Sequence, residues 1–127
     1  MILIPSNKLY LRHSTMKNLI TILLLAVTLF STCKKLEIEE GTPNCIRSKI
    51  SAFEKDAFCS DPQVDEYQFQ SEYVYVFIDG SCGADLAATV FDSKCNIIGR
   101  LGGIEGNTKI NGEEFNAAKF IKTVWKK

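Results

Sequence analysis

Hydrophobic residues change their period along this chain, and each change marks an element. Between Cys45 and Cys59 the apolar residues Ile46, Ile50, Phe53 and Ala57 recur at the spacing of one helix face. Asn44 stands where an N-cap is expected, so the pattern predicts a helix that stops before Cys59. From Asp65 the period falls to two. DEYQF (65–69) and YVYVFID (73–79) flank Gln70-Ser71-Glu72 and predict a hairpin, and LAATVFD (86–92) and NIIGRL (96–101) flank Ser93-Lys94-Cys95 and predict another. In KFIKTVWKK (119–127), β-branched and aromatic residues alternate, which predicts a last strand with Ile121, Thr123 and Trp125 on one side. Asn111 and Glu114 form an N-x-x-E capping signature, which predicts a short helical turn from Gly112 to Ala117 before that strand.

YVYVFID is apolar on both faces, with Tyr73, Tyr75 and Phe77 pointing one way and Val74, Val76 and Ile78 the other. A strand covered on one side only would alternate with polar residues, so this one is expected at the centre of the sheet with both faces covered. The helix supplies one cover; the tail or a partner supplies the other. The stripe Tyr67, Phe69, Tyr73, Tyr75 and Phe77 suits either a core face or a stacking platform for a sugar or peptide, and the core face is the simpler account. The expected fold is α+β: one N-terminal helix packed on an antiparallel sheet of about five strands.

The segment before this domain has a different character. LITILLLAVTLF (19–30) carries no charge, follows Lys17 and precedes Ser31 and Thr32. A spanning helix needs about 20 apolar residues, so the run has the length of a signal-peptide core rather than a membrane crossing. Residues 1–32 are therefore expected to be a signal peptide, with translation starting either at Met1 or, as the basic-apolar-small pattern favours, at Met16. Phe30-Ser31-Thr32-Cys33 resembles a bacterial lipobox, in which the cysteine takes a diacylglycerol and becomes the amino terminus. The pattern usually has Leu where Phe30 stands and a smaller residue than Thr32. On this reading Cys33 is lipidated, and Lys34 to Asn44, broken by Gly41 and Pro43, is a flexible tether ahead of a domain spanning 45–127. An ordinary signal peptide with an incidental cysteine is the alternative.

Charge and cysteines narrow the picture further. After Cys33, twelve Lys and Arg stand against fifteen Asp and Glu, a net charge of −3 with no basic stripe, so nucleic acid is not an expected partner. Cys45, Cys59, Cys82 and Cys95 remain, separated by fourteen, twenty-three and thirteen positions. Those gaps contain no C-x-x-C, and His13, the one histidine, lies in the leader, so two disulfides are expected rather than a metal site. A helix between Cys45 and Cys59 would hold them roughly 18–20 Å apart, beyond the ~7 Å Cα limit of a disulfide. If the helix ends near the start of the first strand, Cys59 meets the loop of Cys82 at one end of the sheet. Cys45 and Cys95 then share the other.

Two stretches carry candidate chemistry. In DGSCGAD (79–85), Asp79, Ser81 and Asp85 have the oxygens for a calcium site, but they lack its spacing and terminal Glu, and turn formation explains them better. In LGGIEGNTKING (101–112), Gly102, Gly103 and Asn107 offer a loop that could cradle an anion through backbone N–H groups, against the default of left-handed turn positions. With no histidine after Cys33 and no activated nucleophile, catalysis, cofactors and metals are not expected. Glu113 and Glu114 are adjacent and cannot face one substrate from one helix.

The run C-x-x-x-KI-x-x-F (45–53), Cys59, V-x-x-Y-x-FQ (64–70), VYVF (74–77), CGAD (82–85), V-x-D-x-x-C (90–95), G-x-LGG-x-x-GNT-x-ING-x-x-F (99–115) and Trp125 resembles a family of small, uncharacterised Bacteroidota lipoproteins, classed as a domain of unknown function. The resemblance implies location and shape, and brings no activity, ligand or catalytic residue with it. The functional expectation is a non-catalytic protein anchored to the outer membrane through Cys33, presenting the Asp79–Asp85 and Gly102–Asn107 loops to an envelope protein or glycan. An inhibitor-like module with a rigid Cys82 loop is one alternative. A small hydrolase using Asp79 or Asp85 is the other.

Overall fold

A computed structural model of the chain describes residues 35–127; the leader, the lipobox-like stretch and Cys33 lie outside the described residues. The expected helix is present as α1 (Asn44–Asp56), burying Ile46 and Ile50. Its start differs from expectation. Pro43, not Asn44, occupies the N-cap position and makes no side-chain cap, while its carbonyl accepts the Arg47 N–H at 2.9 Å. A proline there has no N–H to leave unsatisfied.

Seven strands follow. They are β1 (Gln63–Phe69), β2 (Glu72–Ile78), β3 (Ala87–Asp92), β4 (Ile97–Gly102), β5 (Lys109–Ile110), β6 (Glu113–Glu114) and β7 (Lys119–Lys126), with a 3-10 turn at Phe115–Ala117. Five of them form one antiparallel sheet in the order β4-β3-β2-β1-β7, so β2 is central as its two apolar faces require. On one face Tyr75 and Phe77 join Val64, Phe91, Val124 and Trp125 beneath Ile46 and Ile50 of α1. On the other, Val74 and Val76 join Phe69, Val90 and Ile110. That second cover comes from just ahead of the last strand. It is the 109–118 segment, where the two-stranded β5-β6 ribbon and the 3-10 turn bring in Ile110, Phe115 and Ala118. Gly99 of β4 is small because Ile110 fills the space beside it: a Cβ there would come 2.5 Å from Ile110 Cδ1.

Three local expectations fail. The hairpin turn is two residues long, with Gln70 and Ser71 both at positive φ, and it pairs Phe69 with Glu72 and Tyr67 with Val74. Tyr67 and Phe69 thus belong to the face of Val74, opposite Tyr75 and Phe77, and the aromatic stripe is split between two cores. In β7, register shifts opposite β1 put Thr123 against Asp65 and Trp125 against Val64, which lie on opposite faces of β1. The Asn111–Glu114 cap is absent too. Asn111 sits at φ 52 in the β5-β6 turn, and Glu114 precedes the 3-10 turn without a side-chain cap.

Residues 36–43 do not hang free as a tether. Leu36 and Ile38 pack against the α1-side core, and the Glu39 N–H donates to the carbonyl of Val124 at 3.0 Å, one of the two residues β7 carries in excess over β1. Arg47 holds this strap from the first turn of α1, donating to the carbonyls of Thr42, Ile38 and Glu39 at 3.2, 3.4 and 2.8 Å. Thr42 is buried, and its hydroxyl donates to the Glu39 carbonyl at 2.7 Å.

Candidate functional site

Both disulfides join the expected partners, Cys45 to Cys95 with Cα atoms 6.1 Å apart and Cys59 to Cys82 at 5.5 Å. They bind the two ends of α1 to opposite ends of β3, through the β3-β4 turn and the β2-β3 connection. Such pairs persist in oxidising surroundings of the kind met by exported proteins. Among the described residues no helix is long and apolar enough to cross a membrane.

The helix does not cover the whole face beneath it. Directly opposed residues in antiparallel strands share a face, so the pairs Phe77–Thr89, Thr89–Arg100 and Ala87–Gly102 extend the α1-side face outward across β3 and β4. There it bears small and polar residues and opens into two hollows. The first, about 200 Å³, is lined by Lys49, Ala52, Phe53, Phe77, Asp79, Thr89 and Phe91. Asp85, Ala87, Arg100, Gly102, Gly103, Ile104 and their neighbours line the second, about 410 Å³ and shallower. The Thr89–Arg100 pair connects the two.

The sequence candidates divide among three places. Asp85, Gly102, Gly103 and Asn107 come together at the second hollow, whereas Asp79 lines the first, so the two carboxylates proposed for hydrolysis serve different cavities. Ser81 lines neither. Its N–H and hydroxyl donate to the Asp61 carboxylate at 3.1 and 2.6 Å, and these two bonds hold the Asp61 carboxyl below the usual carboxylate range. Gly80, at φ +116, lets the chain pass there, since a Cβ would meet the side chains of Asp61 and Cys59. The result is a β2-β3 connection tied by one covalent and two polar links.

The Gly102–Asn107 loop also closes on itself. Gly102 N–H donates to the Asn107 carbonyl at 2.8 Å, Asn107 N–H returns to Gly102 at 3.1 Å, and Gly106 N–H donates to Gly103 at 3.0 Å. The Asn107 amide bonds the carbonyls of Arg100 and Lys109. Those three N–H groups are occupied within the loop; Gly102, Gly103 and Gly106 stand at left-handed φ of 74°, 74° and 60°. Ile104 at its tip is 87% exposed. Among the described residues no group of three or more His, Cys, Asp or Glu side chains is placed to hold a metal ion.

Sequence reasoning missed Asp61, Lys49, Thr89 and Arg100. Asp61 announced only a turn, as Asp-Pro does. Lys49 had a usable signal: Cys45, Lys49 and Ala52/Phe53 follow one another along a helix flank, and the Cys45–Cys95 bridge swings that flank over β3.

No curated protein and no solved structure matches the chain. A family described as a domain of unknown function (DUF6970) matches residues 52–127, from the second half of α1 through β7. That span takes in both hollows except Lys49 and covers more than half of the sequence, so the chain belongs to the DUF6970 domain family.

Proposed function

We propose that the protein is a non-catalytic binding module, exported and anchored to the outer membrane through a lipid on Cys33, which meets an envelope protein or glycan with the open β3-β4 half of its sheet. The observation that carries the reading is the incomplete cover of the α1-side face. A sheet that buries both sides of β2 leaves Arg100 and Gly102 exposed and Ala87 and Thr89 half-buried on the same face, between two disulfide-tied ends. The apolar run 19–30 followed by Ser31-Thr32-Cys33 supports export and lipidation.

Two experiments test it. Palmitate labelling is expected in the wild type and absent in Cys33→Ala; equal labelling would remove the anchor. A photo-crosslinking residue at position 100 is expected to trap an envelope component that the same residue at position 116, on the far side of the sheet, does not trap. Equal capture at both positions would remove the open face from the proposal. Substituting Gly102 and Gly103 is a poorer test, because both stand at positive φ and a side chain strains the loop whatever it binds.

One observation favours an inhibitor-like role as a second reading. The Gly80–Cys82 loop is held rigid by Cys59 and Asp61 while Ser81, Cys82 and Gly83 stay exposed. A loop whose conformation is set beforehand loses little entropy on docking.

A further inference from the structure

We propose that the hollow between α1 and the β2-β3 strands binds a small zwitterionic α-amino acid with an apolar side chain. Its floor is aromatic. Phe77 meets Phe53 and Phe91 edge to face, with ring centroids 5.3 and 4.9 Å apart. Its rim carries opposite charges: Lys49 on α1 and Asp79 just past β2, with Thr89 of β3 beside Phe77. Neither Lys49 nor Asp79 forms an ion pair among the described residues. Lys49 is nevertheless positioned, its Nζ 4.5 Å from the centre of the Phe91 ring.

These features select a ligand class. At about 200 Å³ the hollow is smaller than the roughly 300–1,000 Å³ that encloses a drug-sized ligand, so the occupant is small. An apolar side chain fits the phenyl floor, an α-carboxylate meets Lys49 and an α-ammonium meets Asp79, while the Thr89 hydroxyl serves either group. A neutral sugar would leave both charges unanswered.

The inference rests on the proposed binding role of this face, yet the two fail separately. A macromolecular partner would still crosslink at position 100 if the hollow took no amino acid.

Trp125, the one tryptophan of the chain, reports on the hollow, because its ring lies 6.0 Å from that of Phe53. The full-length protein is titrated with L-leucine, leucinamide, 4-methylpentanoate and glucose, following Trp125 fluorescence and, on the same series, heat by calorimetry. L-leucine is expected to saturate by about 10 mM, with the amide and the acid each weaker by about tenfold or more. Lys49→Met and Asp79→Asn, checked for fold by circular dichroism, are each expected to weaken leucine about tenfold. Three ligand results would overturn the proposal: no saturation by leucine in either measurement, equal binding of leucine and its two singly charged analogues, or saturation by glucose in leucine's place. Unchanged leucine affinity in both variants would do the same.

Discussion

One face of the sheet is built in two ways. Over β1, β2 and β7 it carries Val64, Tyr75, Phe77, Val124 and Trp125, sealed by α1 and by the 36–43 strap. Over β3 and β4, on the same hydrogen-bonded ladder, only Phe91 joins that core; beyond it the face carries Ala87, Thr89, Arg100 and Gly102 and stays open. The backbone does not distinguish the halves; the side chains do. Aromatic and branched residues call for a cover because their burial contributes about 1.5–3 kcal/mol each, whereas alanine, threonine and glycine call for none. The open half is thus a property of the sequence, and the two disulfides tie the ends of α1 to the ends of β3.

Removing a sealed side chain tests that contrast with the largest effect. Phe77→Ala opens a cavity beneath α1 and beside two rings, and is expected to lower the free energy of unfolding by about 3–5 kcal/mol. Thr89→Ala, directly opposite on β3, is expected to change it by less than about 0.5 kcal/mol. Urea denaturation of both measures the difference. If Thr89→Ala destabilised as much as Phe77→Ala, the face would be one continuous core and the contrast would be wrong.

The disulfides come next. Replacing Cys45 and Cys95 together by serine, across a separation of 50, is expected to cost about 2–4 kcal/mol. Losing Cys59–Cys82, across 23, is expected to cost roughly 0.5–1 kcal/mol less if loop entropy dominates. The reverse order in thermal or urea unfolding would show that the Gly80–Cys82 loop contributes through its polar links rather than through chain closure.

How much of this was legible follows from how local each signal is. The α1 face, the two hairpins and the last strand were readable because apolar spacing repeats within a few residues. The pairing of cysteines was readable because a helix cannot bring its own ends together and the two hairpins put Cys59 with Cys82 at one end of the sheet. The split aromatic stripe was not. A three-residue loop at 70–72 would place Tyr67 opposite Tyr75, but the observed two-residue turn places it opposite Val74, and one residue of slip exchanges the faces. Gln-Ser is not a pair that announces such a turn, which normally takes Asn-Gly or a similar sequence. The strap was hidden because Leu36 and Ile38 sit singly among charges, with no period to read. At the site, the Asp85 and Gly102–Asn107 stretches were singled out separately and the fold unites them. Arg100 was not singled out, because only strand register makes it a neighbour of Thr89, and Lys49 reaches the same hollow from the flank of α1.

The strap sharpens the sealed side of the comparison. Arg47→Met removes the donor shared by three carbonyls while keeping an apolar stem, and is expected to cost about 1–2 kcal/mol. The signature is regional. Exchange of the Glu39 amide, bonded to Val124, should accelerate strongly, while amides of β3 and β4 should change only with global stability. Uniform acceleration throughout the sheet would mean that the strap is part of the folding unit rather than a cover laid on it.

The smallest effect probes the two ends of the open half, each held by a carboxylate. Burial pulls the Asp92 carboxyl upward, but bonds from the Asn96 side chain and from the N–H groups of Asn96 and Lys94 outweigh it, so the group ends below its ordinary 3.8. Asp61 is lowered in the same direction by Ser81. A depressed folded pKa means that the folded protein binds fewer protons than the unfolded chain in the window below 3.8. The contribution is therefore fully present above that value and is lost as pH falls through the folded pKa. Because both groups keep much of their contact with solvent, it is small. Urea midpoints should fall on acidification below about pH 4, with the amide signals of Ser81, Lys94 and Asn96 moving in the same window. Asp61→Asn and Asp92→Asn should each remove part of that slope. If neither variant changes it, acid acts elsewhere, and the ends of the open face are held by their disulfides alone.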